Sequence, residues 1–229
     1  MLLANQYWYF ESQLSNYFCD SVVNYFNQQK DYKGVTGNIR DIKNKLGEDA
    51  KDKTEEEILK IAKEKKLKEL DDLKKHRNSN IVWSSEIWLY NEIMPYIRAA
   101  NENSNWNFQW DWCESIQFTK YKINQHYGWH KDSWQEPYSK EMGINYAGKI
   151  RKLSCIISLS DSSEYKGGEL EFCFDNNEPD KPRNIIECKE VKPKGSIIVF
   201  PSHIYHRVKP VTEGSRYSLV LWCLGQPFK

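Results

Sequence analysis

The spacing of apolar and polar residues changes near Trp112, and this change divides the chain into two parts. Before Trp112 the apolar residues recur every three or four positions, which predicts helices. After it they form short alternating runs rich in Val, Ile, Phe and Tyr, separated by Gly, Pro and Asp, which predicts strands. The 229 residues are enough for one sizeable core. We therefore predict a single domain, with a helical region at 1–111 and a β core at 112–229.

The helical region begins with an extended segment at 7–13, followed by a helix that Ser15 can cap. A later helix should follow a cap at Ser84 or Ser85. Pro95 lies within that helix and should kink it or split it in two, because proline cannot donate a backbone hydrogen bond.

Residues 38–76 differ from their surroundings because they are dense in Lys, Glu and Asp. A capping-box sequence at Thr54–Glu57 predicts the start of a helix. The simpler interpretation of this charged helical insertion is a solvated helix lying on the core. The alternative is an element that binds a partner or covers a substrate.

The β core contains eight predicted strands without repeated crossover helices, which favours an antiparallel double-stranded jelly roll with the helices packed on one outer face. We place the strands at 113–122, 129–131, 152–159, 168–174, 185–191, 195–200, 206–211 and 215–224. Residues two apart on a strand share a face. On the last strand, one face should point into the jelly roll and the other towards the helices; the inward set is Arg216, Ser218, Val220 and Trp222.

Composition and charge narrow the range of functions. The net charge is +1, which gives no bulk attraction to nucleic acid or to a membrane surface. The N-terminus lacks the pattern of a signal peptide, and no apolar run is long enough to span a bilayer. The six scattered cysteines are typical of buried free thiols. We expect a cytoplasmic protein without nucleic-acid or membrane partners; its oligomeric state stays open.

Candidate chemistry starts at His130-Lys131-Asp132. On an extended segment His130 and Asp132 point to the same side and present an imidazole and a carboxylate together. His206 follows a strand and a turn and can supply a third ligand, whereas His203, three residues earlier, would face the opposite way. Two histidines and one carboxylate form the facial triad of non-haem Fe(II) oxygenases.

With Arg216 ten residues after His206, this ordered set resembles the 2-oxoglutarate/Fe(II) dioxygenase superfamily. The residues around it resemble the prolyl 4-hydroxylase catalytic-domain branch over roughly Trp112 to Leu224. Further matches to that branch are Tyr121, Tyr127, Gly167-Gly168-Glu169 and Trp222. Many members of the branch carry lysine where this chain has Arg216.

The resemblance implies Fe(II), 2-oxoglutarate and dioxygen, with ascorbate as a further candidate cofactor. Arg216 would bind the distal carboxylate of 2-oxoglutarate, since a guanidinium binds a carboxylate through two hydrogen bonds. Ser218 and Tyr121 would donate hydroxyl groups in the same pocket. Strand alternation independently permits all three roles. An aspartate ligand at position 132 implies hydroxylation, because related halogenases lack this carboxylate.

The substrate side is less specific. Tyr127 and Trp222 would line it, although both could also be ordinary core residues. The loop at 133–149 directly follows the ligand pair, and Trp134 and Tyr138 on it could cover a peptide.

Several functions remain open on these residues. The first is hydroxylation of a polypeptide side chain, with proline as the candidate residue, releasing succinate and CO2. The same chemistry could act on a free amino acid or another small molecule. A zinc hydrolase also uses two histidines and a carboxylate, but it leaves Arg216 unexplained. The last alternative is a non-catalytic jelly-roll binding module.

Overall fold

The computed structural model describes residues 3–34, 46–51, 53–67, 75–133, 136–174 and 184–228. Twelve of its strands form a continuous antiparallel sheet that curls on itself, and two more form a separate antiparallel pair. A second core fills the space between the two halves of the large sheet. Helices cover the outer face of the larger half. The predicted jelly roll with helices on one outer face is therefore confirmed.

The strands are β1 (Trp8–Phe10), β2 (Tyr32–Gly34), β3 (Arg77–Ser84), β4 (Trp112–Cys113), β5 (Ile116–Tyr121), β6 (His126–His130), β7 (Ile150–Ser158), β8 (Tyr165–Gly167), β9 (Leu170–Cys173), β10 (Ile185–Glu187), β11 (Ile197–Pro201), β12 (Tyr205–Val208), β13 (Val211–Gly214) and β14 (Arg216–Gly225). The helices with more than one turn in the described residues are α1 (Asn16–Asn27), α2 (Glu55–Glu64) and α3 (Ile87–Asn103). Short 3-10 turns lie at Gly47–Ala50, Lys140–Met142 and Lys189–Val191.

Two of the predicted helix starts form as their sequences indicate. Ser15 caps α1 by accepting a hydrogen bond from Phe18 N at 3.1 Å, a contact worth about 1 kcal/mol. Thr54 and Glu57 form the complete capping box of α2. The charged insertion predicted at 38–76 thus contains a helix, but much of that range, including 38–45 and 68–74, lies outside the described residues.

The start of α3 differs from the prediction. Glu86 occupies the cap position without a side-chain cap, and Ser84 Oγ instead accepts a hydrogen bond from Glu86 N. Pro95 lies inside α3 and does not split it. Proline removes one hydrogen bond, but the helix buries a continuous apolar stripe against the sheet, and this packing holds both halves of α3 in one element.

Strand β3 was not predicted from the sequence. This strand lies where the two halves of the sheet meet: its first residues pair with β6, and its remainder pairs with β5. The N-terminal region is therefore not only helical, since β1 and β3 both join the sheet.

Several predicted strands have different ends in the structure. The strand predicted at 113–122 is divided into β4 and β5, and 185–191 forms a strand only as far as Glu187 before it turns. The segment predicted at 168–174 follows the turn between β8 and β9, where Gly167 and Gly168 have positive φ angles of 73° and 66°. Strand β13, which pairs with β8, was not predicted.

The alternation predicted for β14 is confirmed. Tyr217, Leu219, Leu221 and Cys223 pack in the core beneath α1 and α3, and Val220 belongs to the core between the sheet halves. All six cysteines are free. Within the described residues, no helix combines the length and apolar character that crossing a membrane requires.

Candidate active site

The three predicted ligand residues come together at one end of the jelly roll. His130 ends β6, and its Cα lies directly opposite that of His206 on β12. Asp132 follows β6, with Oδ1 3.6 Å from His130 Nε2 and Oδ2 3.5 Å from His206 Nε2. The candidate ligand atoms of the three residues all lie within 4.8 Å of one another. One metal ion could therefore contact all three.

Local hydrogen bonds orient both imidazole rings. His130 Nδ1 lies 2.8 Å from the Gly128 carbonyl oxygen, and His206 Nδ1 lies 3.0 Å from that of Ile204. A carbonyl only accepts, so each Nδ1 carries a proton, and in the neutral ring Nε2 then keeps its lone pair. Neutral rings in this arrangement present their Nε2 lone pairs towards Asp132, as metal binding requires.

The electrostatics favour the same protonation states. Burial lowers the pKa of His130 well below its usual value, which keeps the ring neutral near pH 7. Burial alone would raise the pKa of Asp132, but His206, His130 and Arg151 outweigh it and lower this pKa to about 2. The site therefore has an ionised carboxylate, and at least His130 is neutral.

A second cluster surrounds Arg216 at the start of β14. Arg216 is 2% exposed, pairs across the sheet with Tyr121 and lies with its guanidinium carbon 5.6 Å from the Tyr121 ring centroid. Its Nη1 lies 3.4 Å from Ser218 Oγ. Burial raises the pKa of Tyr121, so its phenol stays protonated and can donate. Among the described residues, no carboxylate forms an ion pair with Arg216.

The candidate substrate residues have different outcomes. Tyr127 stacks on the His130 ring with centroids 3.4 Å apart. Trp222 is 5% exposed and contacts the Arg151 guanidinium, 3.9 Å from its ring centroid. Both thus lie beside the three candidate metal ligands. Trp134 lies outside the described residues, whereas the hydroxyl of Tyr138 donates to Glu114.

Three nearby residues were missed in the sequence. Arg151 on β7 forms two hydrogen bonds with Glu114, at 2.7 and 2.5 Å. Ser154, on the same strand and two residues before Ile156, donates to Asp132. Arg77 on β3 lies 4.5 Å from the Tyr127 ring centroid. Polar residues within the apolar strand β7 were a readable signal, but Arg77 lies just after the charged insertion predicted at 38–76, where no strand was predicted.

The residues present fit a divalent metal and an anionic ligand. Two lone-pair nitrogens and a carboxylate are a donor set that suits Fe(II). The buried indole N–H of Trp222 lies close enough to Asp132 to help lower the pKa of its carboxyl. The buried Arg216 guanidinium supplies a positive charge in the same interior. A jelly roll with this donor set is typical of mononuclear non-haem iron proteins.

Comparison with known proteins shows which family the β core resembles. Residues 116–224 match the model of the 2OG-Fe(II) oxygenase superfamily, where 2OG denotes 2-oxoglutarate. A PKHD-type hydroxylase of Synechococcus sp. (strain CC9902) is 36% identical over 109 residues, which cover 47% of this chain and 40% of that protein. One from Xylella fastidiosa (strain 9a5c) is 35% identical over 107 residues, or 46% and 42% of the two chains. The chain thus spans about two fifths of the length of these curated relatives.

Solved structures share the fold across nearly the whole chain. The viral collagen prolyl hydroxylase from Paramecium Bursaria Chlorella virus-1, as its 2OG complex, gives a TM-score of 0.57 at 18% identity, with 97% of each chain covered. A Pseudomonas putida prolyl-4-hydroxylase gives 0.56 at 14% identity, with 98% and 95% covered. A Trichoplax adhaerens prolyl hydroxylase in complex with a hypoxia inducible factor peptide fragment gives 0.57 at 14%, with 96% and 84% covered. Residues 116–224 are thus similar to the 2OG-Fe(II) oxygenase superfamily, and the whole fold is similar to that of solved prolyl hydroxylases.

Proposed function

We propose that this protein is an Fe(II)- and 2-oxoglutarate-dependent hydroxylase that acts on a polypeptide side chain. The observation that carries the proposal is the convergence of His130, Asp132 and His206 within 4.8 Å of one another, in the same interior as the buried Arg216. In this proposal residues 112–229 form the catalytic core and 1–111 support it within one domain.

His130, Asp132 and His206 would hold Fe(II), leaving the remaining coordination positions open. When bound, the iron and 2-oxoglutarate would couple decarboxylation of the co-substrate to insertion of one oxygen atom of O2 into a C–H bond, giving succinate, CO2 and an alcohol. The protein's own contribution is to orient the ligands and to exclude water from the interior.

Arg216, Ser218 and Tyr121 would bind 2-oxoglutarate. The distal carboxylate would neutralise the buried guanidinium, which the described residues leave without an ion pair. Ser218 lies within reach of Arg216, and Tyr121 stays protonated as a donor. A zinc hydrolase would give these three residues no role, and the arrangement therefore favours an oxygenase.

A polypeptide substrate, with proline as the candidate residue, is supported by the names of the relatives and by the peptide-bound prolyl hydroxylase of similar fold. Tyr127 and Trp222 would line the substrate side, since both lie next to the candidate metal ligands. Ascorbate would serve as a reductant that keeps the iron in the Fe(II) state.

Cofactor binding should stabilise the folded chain. Mn(II), which replaces Fe(II) without oxidising, should raise the melting temperature, and 2-oxoglutarate should raise it further. At a ligand concentration of about 100 Kd each binding step adds about 2.7 kcal/mol, or roughly 5–10 °C for a domain of this size. The measurement is thermal unfolding with each ligand alone and with both.

Zinc provides the discriminating comparison. If Zn(II) alone gave the full stabilisation and 2-oxoglutarate added nothing with either metal, the hydrolase interpretation would replace the oxygenase one. Glutarate, which lacks the keto group but keeps both carboxylates, should shift the melting temperature less than 2-oxoglutarate does.

Gly168 gives a local test of the Arg216 pocket. A Cβ added at Gly168 would lie 3.0 Å from Arg216 Cδ, and the φ angle there is +66°. Gly168→Ala should therefore displace Arg216 and weaken 2-oxoglutarate binding by about 3- to 10-fold, on the scale of one hydrogen bond. Calorimetric titration of 2-oxoglutarate into the Mn(II)-loaded protein measures the change.

Gly148→Ala is the matched control. Its φ angle of +73° imposes a similar backbone strain, but a Cβ there meets nothing within 4 Å. Both variants should melt lower by a similar amount, because an L-residue in this region costs about 1–2 kcal/mol. Equal 2-oxoglutarate affinities in the two variants would show that Gly168 has no role in placing Arg216.

A further inference from the structure

The carboxylate of Asp132 has a second set of contacts besides those with the two histidines. Its Oδ2 accepts a hydrogen bond from Ser154 Oγ at 2.7 Å, and Ser154 Oγ lies 2.8 Å from Ser202 Oγ. Ser154 and Ser202 have no solvent exposure, and Asp132 is 6% exposed. The three side chains therefore form a dry chain of hydrogen bonds.

The direction of this chain follows from counting hydrogens. A carboxylate oxygen accepts, so Ser154 uses its single hydroxyl hydrogen on Asp132 Oδ2. Ser202 must then donate to Ser154. Oδ1 of Asp132 lies 3.6 Å from His130 Nε2 and is not the oxygen to which Ser154 donates. The two carboxylate oxygens are thus unequal, because the Ser154 hydrogen bond falls on Oδ2 alone.

Ser202 also connects the segments that carry the ligands. Its carbonyl oxygen accepts from Asp132 N at 3.0 Å and from Ser133 N at 2.9 Å, and its own N donates to the Lys152 carbonyl oxygen at 3.0 Å. It lies in the turn between β11 and β12, four residues before His206. The turn, the start of β7 and the end of β6 are held together at this residue.

Packing alone does not account for Ser154. It lies on the inward face of β7, opposite Trp222, and its neighbour on that face is Ile156. A buried hydroxyl without a partner costs about 1–3 kcal/mol, whereas an alanine of nearly the same size would cost nothing. The side-chain partners of Ser154 in the structure are Asp132 and Ser202, so the hydroxyl is explained by what it does to Asp132.

We propose that Ser154 is a positioning residue of the metal site. Its hydroxyl occupies Oδ2 of Asp132, so that the carboxylate offers a single oxygen to the metal, and Ser202 holds the Ser154 hydroxyl in place by donating to it. This inference rests on the proposed function. A carboxylate that supplied both oxygens would fill a position that the co-substrate or dioxygen needs. Hydrogen bonding of ligating carboxylates by outer residues is a general property of metal sites.

The test is calorimetric titration of Mn(II) into the full chain, with and without 2-oxoglutarate. Ser154→Ala should weaken Mn(II) binding by about 10- to 100-fold, the usual effect of losing an outer partner of a ligand. Ser202→Ala should weaken it less, by roughly 2- to 10-fold, because it removes one neutral hydrogen bond a step further away.

Ser196→Ala is the matched control, since Ser196 is equally buried and its Oγ accepts from the backbone N of Ser12, on another part of the fold. A purely structural role would lower the melting temperature of the metal-free protein in all three variants and leave metal affinity alone. A positioning role should instead change the Mn(II) affinity and the visible spectrum of the Co(II) form in Ser154→Ala, and neither in Ser196→Ala.

Equal Mn(II) affinity in Ser154→Ala and Ser196→Ala, within about two-fold, would overturn the inference, because the hydrogen bond would then have no effect on the ligand. The proposed function would survive that result. Failure of the unmodified chain to bind Mn(II) or Fe(II) at all would overturn both.

Discussion

His206→Ala should abolish tight Fe(II) binding and 2-oxoglutarate turnover, whereas His203→Ala should leave metal binding intact. His206 is 3% exposed and lies opposite His130 across the β6–β12 pair. Removing one of three ligands should cost more than the roughly 10- to 100-fold loss that follows removal of an outer partner. Metal content after dialysis and succinate formation measure both effects.

His203 is a suitable control because it is only three residues from His206 in sequence but is not part of strand β12. It lies in the turn between β11 and β12, with its ring centroid 6.1 Å from that of Phe228. Substitution of His203 should at most alter how a substrate is handled at the rim. If the His203 variant lost iron while the His206 variant kept it, the assignment of the third ligand would be wrong.

Arg216→Met should produce the second large effect, a loss of 2-oxoglutarate affinity with metal binding retained. Methionine keeps much of the apolar stem but leaves the co-substrate carboxylate unpaired in a dry interior. Removing one partner of such a pair costs about 2–5 kcal/mol, or roughly 30- to 4,000-fold in Kd. Calorimetric titration of 2-oxoglutarate into the Mn(II)-loaded variant gives this value directly.

Arg98→Met is the control for loss of an arginine, because Arg98 is exposed on α3 and contacts the ring of Trp110. Its 2-oxoglutarate affinity should match that of the unmodified chain. An unchanged affinity in Arg216→Met would remove Arg216 from the co-substrate pocket and leave its burial without a functional reason.

Local pattern was enough to predict much of the fold. Alternation along β14 correctly separated the residues that face the helices from those that face inward, because each strand face meets a chemically different neighbour. The caps at Ser15 and Thr54 formed as predicted, since a cap depends on residues within one turn. The two histidines and Asp132 come together as their strand positions suggested.

Features that depend on distant parts of the chain were not predictable. Strand β3 begins with Arg77 and also buries Asn80, and such a polar stretch is not typical of a strand. It becomes one because it pairs with both β5 and β6, which lie more than thirty residues further along the chain. No element was predicted between the charged insertion at 38–76 and the helix that follows Ser84 or Ser85.

The outer contacts of the site were missed for the same reason. Ser154 reaches Asp132 across 22 positions of sequence, and Arg151 reaches Glu114 across 37. A spacing rule detects ligands that share a strand, but it carries no information about side chains that meet through the packing of separate strands. These partners became visible only in the structure.

Oxygen transfer tests the central claim most directly. The chain would be incubated with Fe(II), 2-oxoglutarate, ascorbate and isotopically labelled O2, together with proline-containing peptides, free amino acids and cell lysate, and the products analysed by mass spectrometry. The proposed function predicts that succinate forms together with a polypeptide product that has gained one labelled oxygen atom. The His206→Ala variant should form neither product. Labelled oxygen appearing only in a free amino acid would contradict the polypeptide assignment. If no 2-oxoglutarate were consumed under any of these conditions, the proposed oxygenase function would be wrong.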